Sequence, residues 1–142
     1  MKKLIYSLVI ILVSITSFFM YQYLDANDVD GTITVIVIDE SGNEIINDEI
    51  GFLLEDELFD LIETSYEVGC ANSNYKLSDD CEATVLQNRV LLKINEVETD
   101  WMNTYIAIYV NDEYSTKGID LIPLKDGNTY TFKALEVGDD VN

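Results

Sequence analysis

The chain predicts an α+β domain, a mixed β-sheet packed on one helix, set behind a single N-terminal transmembrane helix. Three observations lead there. Residues 4–24 form an apolar run without a charge. One later segment has helical apolar spacing, and the other apolar segments are β-branched or alternate with period two.

The N-terminal run fits a membrane. Lys2 and Lys3 precede it, its polar interruptions are small, and Tyr6, Tyr21 and Tyr23 sit near its ends. Its length gives a helix of about 30 Å, the thickness of the hydrocarbon core. The lysines place the N-terminus in the cytoplasm and the remainder outside, with the lipid bilayer as a partner through residues 4–24. A cleaved signal peptide is the alternative. It is disfavoured because Leu24-Asp25-Ala26 makes a poor small-x-small site. If the run were cleaved, the product would be secreted. Residues 25–30 read as a polar tether rather than a calcium loop, since Gly31 as the sixth position would put Ala26 first. Residues 31–137 are the extracytoplasmic domain, and 138–142 a tail.

Within the domain, Thr32–Ile38 is β-branched throughout and apolar on both faces toward its end, which predicts a central strand. Gly42 can take a positive φ in the turn that follows, and Glu44–Phe52 returns as a second strand. Leu54, Leu58, Leu61 and Ile62 recur at helical spacing against Glu55, Asp56, Glu57, Asp60 and Glu63, predicting a helix over 54–65 with three carboxylates in its first turn. Its acidic face reads as solvated surface rather than a metal site. Arg89–Asn95 alternates as a strand. Tyr105–Val110 is apolar on both faces and predicts a second central strand. Thr129–Leu135 alternates Tyr130, Phe132 and Ala134 against Thr129, Thr131 and Lys133, predicting a half-exposed strand. A hairpin, a helix and then further strands is the order of a β-grasp.

The stretch Tyr105-Ile-Ala-Ile-Tyr-Val-Asn-Asp-Glu-Tyr-Ser115, with Gly118-Ile-Asp and then Pro123-Leu-Lys-Asp-Gly-Asn-Thr-Tyr-Thr-Phe132, resembles a domain family of bacterial surface proteins of unknown function. That family is similar to the C-terminal domain of transcobalamin and intrinsic factor. Its pattern is an aromatic strand ending in Val-Asn-Gly, a glycine-containing loop, and an Asp-Gly turn into a last aromatic strand. Asp112 stands where glycine is common, and Asn128 where an acidic residue is usual. The resemblance spans about residues 31–137 and implies a β-rich cap over a corrinoid, with the partner helical domain of the carriers absent here.

Charge and composition narrow the function. Acidic residues number 27 and basic ones 8, for a net charge of −19. All 27 acids fall beyond the apolar run, so phosphate backbones are repelled and no nucleic-acid partner is expected. There is no histidine, which removes the His-based nucleophile systems and His-ligated metals. No catalytic residue, metal or cofactor is expected.

Cys70 and Cys81, two cysteines in an exported domain, read as a disulfide, with two unpaired thiols as the alternative. Trp101, Tyr105, Tyr109, Asn111 and Tyr114 are the candidates for binding a ligand or partner. Tyr105 and Tyr109 lie on one face of their strand, either filling the core beneath the helix or shielding the other face, or else forming a stacking platform for a planar ligand or an aromatic patch for a protein partner, whereas Trp101 and Tyr114 sit in loops and should be exposed. Ser115-Thr116-Lys117 is too generic for a Ser-Lys nucleophile. The sequence therefore predicts a membrane-anchored extracytoplasmic binding or interaction module without catalysis, its partner an unknown protein or small ligand. Capture of a corrinoid or other small ligand is the first alternative, and carboxylate-based catalysis the second.

Overall fold

The structure, a computed structural model, describes residues 29–82 and 88–138. The predicted anchor over 4–24, most of the tether and the end of the tail lie outside the described residues. Among the described residues no helix is long and apolar enough to cross a membrane.

Among the described residues there are two sheets and one α-helix, an α+β arrangement that is mostly sheet. Strands β1 (Gly31–Ile38) and β2 (Glu44–Phe52) form an antiparallel hairpin. Its turn is closed by the Asp39 carboxylate, which accepts from the Asn43 N–H at 2.7 Å, and Gly42 takes φ +81° there. Helix α1 (Leu58–Ser65) follows, then β3 (Val68–Ala71), β4 (Leu77–Ser78), β5 (Leu91–Ile94) and β6 (Val97–Glu98). Strand β7 (Thr104–Val110), the short β8 (Glu113–Tyr114), a 3₁₀ turn (Ile119–Leu121) and β9 (Thr129–Glu136) complete it. The larger sheet has the order β2-β1-β9-β7-β8, and the smaller β4-β3-β5-β6.

Strand β9 lies between β1, to which it is parallel, and β7, to which it is antiparallel. The turn before it sets this register. The Asp126 carboxylate accepts from the Thr32 N–H at 2.9 Å, the Gly127 N–H donates to the Thr32 carbonyl at 2.8 Å, and the Thr34 N–H donates to the Asn128 carbonyl. Gly127 has φ +75°, a conformation that costs glycine little. The start of β1 needs a glycine for another reason: a Cβ on Gly31 would lie 2.7 Å from the Phe52 ring.

The core is shared by the larger sheet, the helix and the smaller sheet, which contributes Cys70, Leu91, Ile94 and Val97. Ile33, Val35 and Val37 of β1 and Tyr130, Phe132 and Ala134 of β9 face Leu58, Phe59 and Ile62, with Ile106, Ile108 and Val110 of β7 at the margin. The Tyr130 hydroxyl, the one polar atom of a fully buried ring, donates to the Pro123 carbonyl at 2.8 Å and accepts from the Lys125 N–H.

Three expectations require correction. The helix begins at Leu58, not Leu54. Before it, the Leu53 N–H donates to the Asp56 carboxylate and the Leu54 N–H to Asp30, so the chain turns. Leu54 is consequently 82% exposed, Phe59 takes the buried position, and Glu55, Asp56 and Glu57 precede the helix, leaving Asp60 in its first turn. Strand β7 is not central in the predicted sense: the two-residue β8 is its only cover on one side, and within it only Ala107 is fully buried. The predicted half-exposed strand, β9, is instead the middle of the sheet, and Thr131 and Leu135 on its second face are also buried. The β1 strand is central, but only its core-facing side is fully covered.

Arg89 ties the helix to the later loops. Its Nε donates to Asp120 at 2.6 Å, its backbone N–H donates to the same carboxylate, and the guanidinium lies 3.6 Å over the Phe59 ring. Asp60 (3.4 Å) and Glu57 (3.9 Å) are looser, more exposed partners. Replacing Asp120 with asparagine should cost about 2 kcal/mol, below the value for a fully buried pair because both groups keep some contact with water. Asp60→Asn should change stability by less than about 0.5 kcal/mol. Urea unfolding of the two variants measures both, and equal effects would contradict this ranking.

Candidate functional site

The five predicted binding residues divide between two clefts and the outer face of the larger sheet. Tyr105 and Tyr109 alternate with Ile106, Ile108 and Val110, which pack toward the core, so the two tyrosines point away from the helix and are half-buried. The reading that they fill the core beneath the helix is thereby corrected. Tyr109 meets Tyr114 edge to face, with centroids 5.7 Å apart at 67°, a favourable aromatic geometry.

The first cleft, about 550 Å³, opens at the β7–β8 hairpin. Asn111 and Asp112, at φ +51° and +67°, form the two-residue hairpin turn between Val110 and Glu113. The Asn111 side chain is committed within the protein. Its Nδ2 donates to Asn128 Oδ1 at 3.0 Å and its Oδ1 accepts from the Thr129 N–H at 2.9 Å. Asn111 therefore braces the wall of this cleft, tying one hairpin to the turn before β9. Tyr114, 41% exposed, and the apolar Val110, Ile122 and Pro123 line the cleft with Lys117 and Lys125. Among the described residues neither lysine is in an ion pair, whereas Arg89 and Lys93 both are. Glu113 also lines the cleft, so its lining carries two cations against one carboxylate in a chain of net charge −19.

The second cleft, about 500 Å³, lies beside the smaller sheet. Trp101 stacks on Tyr75 with centroids 6.0 Å apart and planes 16° apart. Both residues have left-handed backbones, φ +64° and +58°, a conformation that costs a bulky residue about 1–3 kcal/mol and persists only where neighbours impose it. The neighbours are identifiable. Asn72 holds Tyr75: its Oδ1 accepts from the N–H groups of Asn74 and Lys76, and its carbonyl accepts from Tyr75. Asp100 holds Trp101: its carboxylate accepts from the N–H groups of Met102, Asn103 and Thr104 and from the Asn103 side chain. Tyr75 lies in the loop closed by the Cys70–Cys81 disulfide, whose Cα atoms are 5.1 Å apart. The disulfide reading of the sequence holds. Tyr75 is the residue that sequence reasoning passed over; its signal is a single aromatic between two cysteines, meaningful only once Trp101 is placed beside it.

The bonds around Asp100 hold its carboxyl down at about 2, with the Asn103 backbone N–H the largest cause and the Asn103 side chain and Thr104 N–H next. A depressed acid stabilises the fold above its unfolded value of about 3.9, and that stabilisation is lost as pH falls toward 2. Asp100→Asn should flatten the dependence of melting temperature on pH between about 4 and 2. Unchanged slopes in wild type and variant would remove Asp100 from the account. Among the described residues no three Cys, Asp or Glu side chains gather so as to hold a metal ion.

No family model matches the chain, and no curated protein matches it. Among solved structures it is similar to a chain from Ruminococcus gnavus ATCC 29149, determined at 1.30 Å and described as a "putative metal binding protein". The TM-score is 0.53 at 19% identity, and the match covers 75% of this chain and 98% of the other. At that identity the likeness concerns the fold.

Proposed function

We propose that the protein is a membrane-anchored extracytoplasmic binding module with a β-grasp-like fold, non-catalytic, that takes a small ligand in the cleft at the β7–β8 hairpin. One observation carries this reading. Most of that cleft's lining comes from the segments 105–115 and 123–132, where the sequence resembles the transcobalamin-type domain. The pattern of resemblance and the walls of one concavity thus coincide. Supporting it, Asn111 fixes the two walls to each other, so the cleft is preformed and little ordering is lost when it is filled. The uncharged run over 4–24 supports the anchor, and the disulfide suits an oxidising, extracytoplasmic setting. The domain alone offers one wall of a corrinoid site, so a second component or copy would complete an enclosed pocket.

Thermal shift of the whole chain in a polyoxyethylene detergent, against corrinoids, haem and glycans, tests the proposal. A ligand at a hundred times its Kd adds about 2.7 kcal/mol, and Tyr114→Ala should abolish the shift. A shift with the corrinoid that survives Tyr114→Ala would move the ligand elsewhere. No shift with any of them would leave a protein partner as the remaining form of the binding module.

A further inference from the structure

The Tyr75–Trp101 cleft is separate from the β7–β8 cleft and shares no lining residue with it. Simple packing does not account for it. After stacking on each other Tyr75 and Trp101 remain 44% and 38% exposed as residues, and the adjoining Met102 is 77% exposed. A contact made only to fasten the β3–β4 hairpin to the loop before β7 would hide these faces rather than hold them open in two left-handed turns. Leu77 supplies an apolar wall. It leans over Gly69, where a Cβ would meet its side chain at 2.6 Å, so glycine there makes room for the wall.

The charge around the rings selects the ligand. Glu98 and Asp100 line the cleft with Lys76 as the one basic residue of its lining, and the chain as a whole carries −19. Aromatic faces are negative in their quadrupole and attract cations, Trp most strongly. The field of an acidic protein raises the local concentration of cations and lowers that of anions. A soft thioether such as Met102 adapts to an alkyl group. Anionic ligands are opposed by the ring quadrupoles, by Glu98 and Asp100 and by the field of the chain, with Lys76 alone in the lining favouring them. Small metal ions are poorly matched to a mainly apolar cleft in which the Asp100 carboxylate is already engaged by backbone N–H groups.

We propose that Tyr75, Trp101 and Met102, with Glu98 and Asp100, form a binding site for an organic cation of the alkylammonium class. The Trp101 face that Tyr75 leaves uncovered supplies the π contact, the Tyr75 ring stacked beside it adds its own quadrupole, Leu77 and Met102 contact the alkyl groups, and the two carboxylates supply charge without direct coordination. The disulfide and the Asp100 turn hold the two halves ready.

Trp101 is the protein's single tryptophan, so its emission reports on this site alone. The whole chain, in a polyoxyethylene detergent that carries neither ammonium nor sugar, is titrated with tetramethylammonium chloride, with sodium chloride at matched ionic strength as the reference. The expected result is a saturable change in Trp101 emission that sodium chloride does not reproduce. Tyr75→Leu, which keeps apolar packing but lacks a π face, should weaken binding about tenfold, Tyr75→Phe by no more than about twofold, and Glu98→Gln about threefold. Identical curves for the two salts would overturn the proposal. So would equal affinity in Tyr75→Leu and wild type, or a saturable response to maltose with none to the cation, which would make the platform a sugar site.

Discussion

Truncating Phe59 to alanine should lower the stability of the domain by about 3–5 kcal/mol, the range for removing a buried phenylalanine ring. The side chain is fully buried, and it joins three parts of the molecule. It packs against the sheet with Leu58 and Ile62, and its other face carries the Arg89 guanidinium at 3.6 Å. Removing the ring therefore opens a cavity and leaves the cation without the surface on which it lies, while the Asp120 pairing loses its backing. Since small domains commonly hold only about 5–15 kcal/mol in reserve, this loss removes a large share of it. Urea unfolding gives the magnitude, and Phe59→Leu, which keeps most of the volume, should lose no more than about half as much. A Phe59→Ala loss under 1 kcal/mol would mean that the helix does not depend on this contact.

Replacing both Cys70 and Cys81 with alanine should cost about 3 kcal/mol. The bridge closes a short loop, with a sequence separation of 11, and the chain-entropy account assigns it that stabilisation. Both cysteines are buried, at 0% and 7% exposure, so alanine avoids new thiols without inserting a polar group. The effect should be local as well as global. Strand β4 is two residues long and pairs only with β3, and the hairpin containing it presents Tyr75. The variant's Trp101 emission should shift toward that of a solvated indole at temperatures well below the main unfolding transition. Coincident loss of both signals would show instead that hairpin and domain unfold as one unit.

The fold was legible where local pattern and burial agree. Glu44–Phe52 is a strand over the span that its turn and following residues mark, and the period change at Leu58–Ile62 does mark the α-helix Leu58–Ser65. The helix start was not legible, because Asp30 reaches Leu54 from 24 residues away, and no local rule anticipates that acceptor. The centrality of β9 was hidden for the same reason. Thr129, Thr131 and Lys133 look like a solvent face, yet the strand has neighbours on both edges, and flanking strands bury Thr131. The smaller sheet escaped notice because β4 and β6 have two residues each, too few for any periodicity. At the candidate sites, exposure of Trp101 followed from its loop position, whereas Tyr114 is exposed as part of the short strand β8 and not in the loop expected for it. The stack with Tyr75 depends on a long-range approach that the sequence does not display.

The parallel pairing of β1 with β9 has a kinetic consequence. The first strand of the domain and the last lie side by side at its centre, nearly a hundred residues apart. During synthesis from the N-terminus, β1 and β2 can form their hairpin early, but β7 must wait with one edge open until Thr129–Glu136 has emerged and entered between it and β1. Completion of the larger sheet is thus deferred to the end of the chain's appearance, and an intermediate that holds both β1 and β7 without β9 carries two unpaired strand edges lined by Ile and Val. A chain stopped before Thr129 loses the central strand rather than an end. Such a product should be degraded or aggregate, since the remaining strands have no common sheet in which to close.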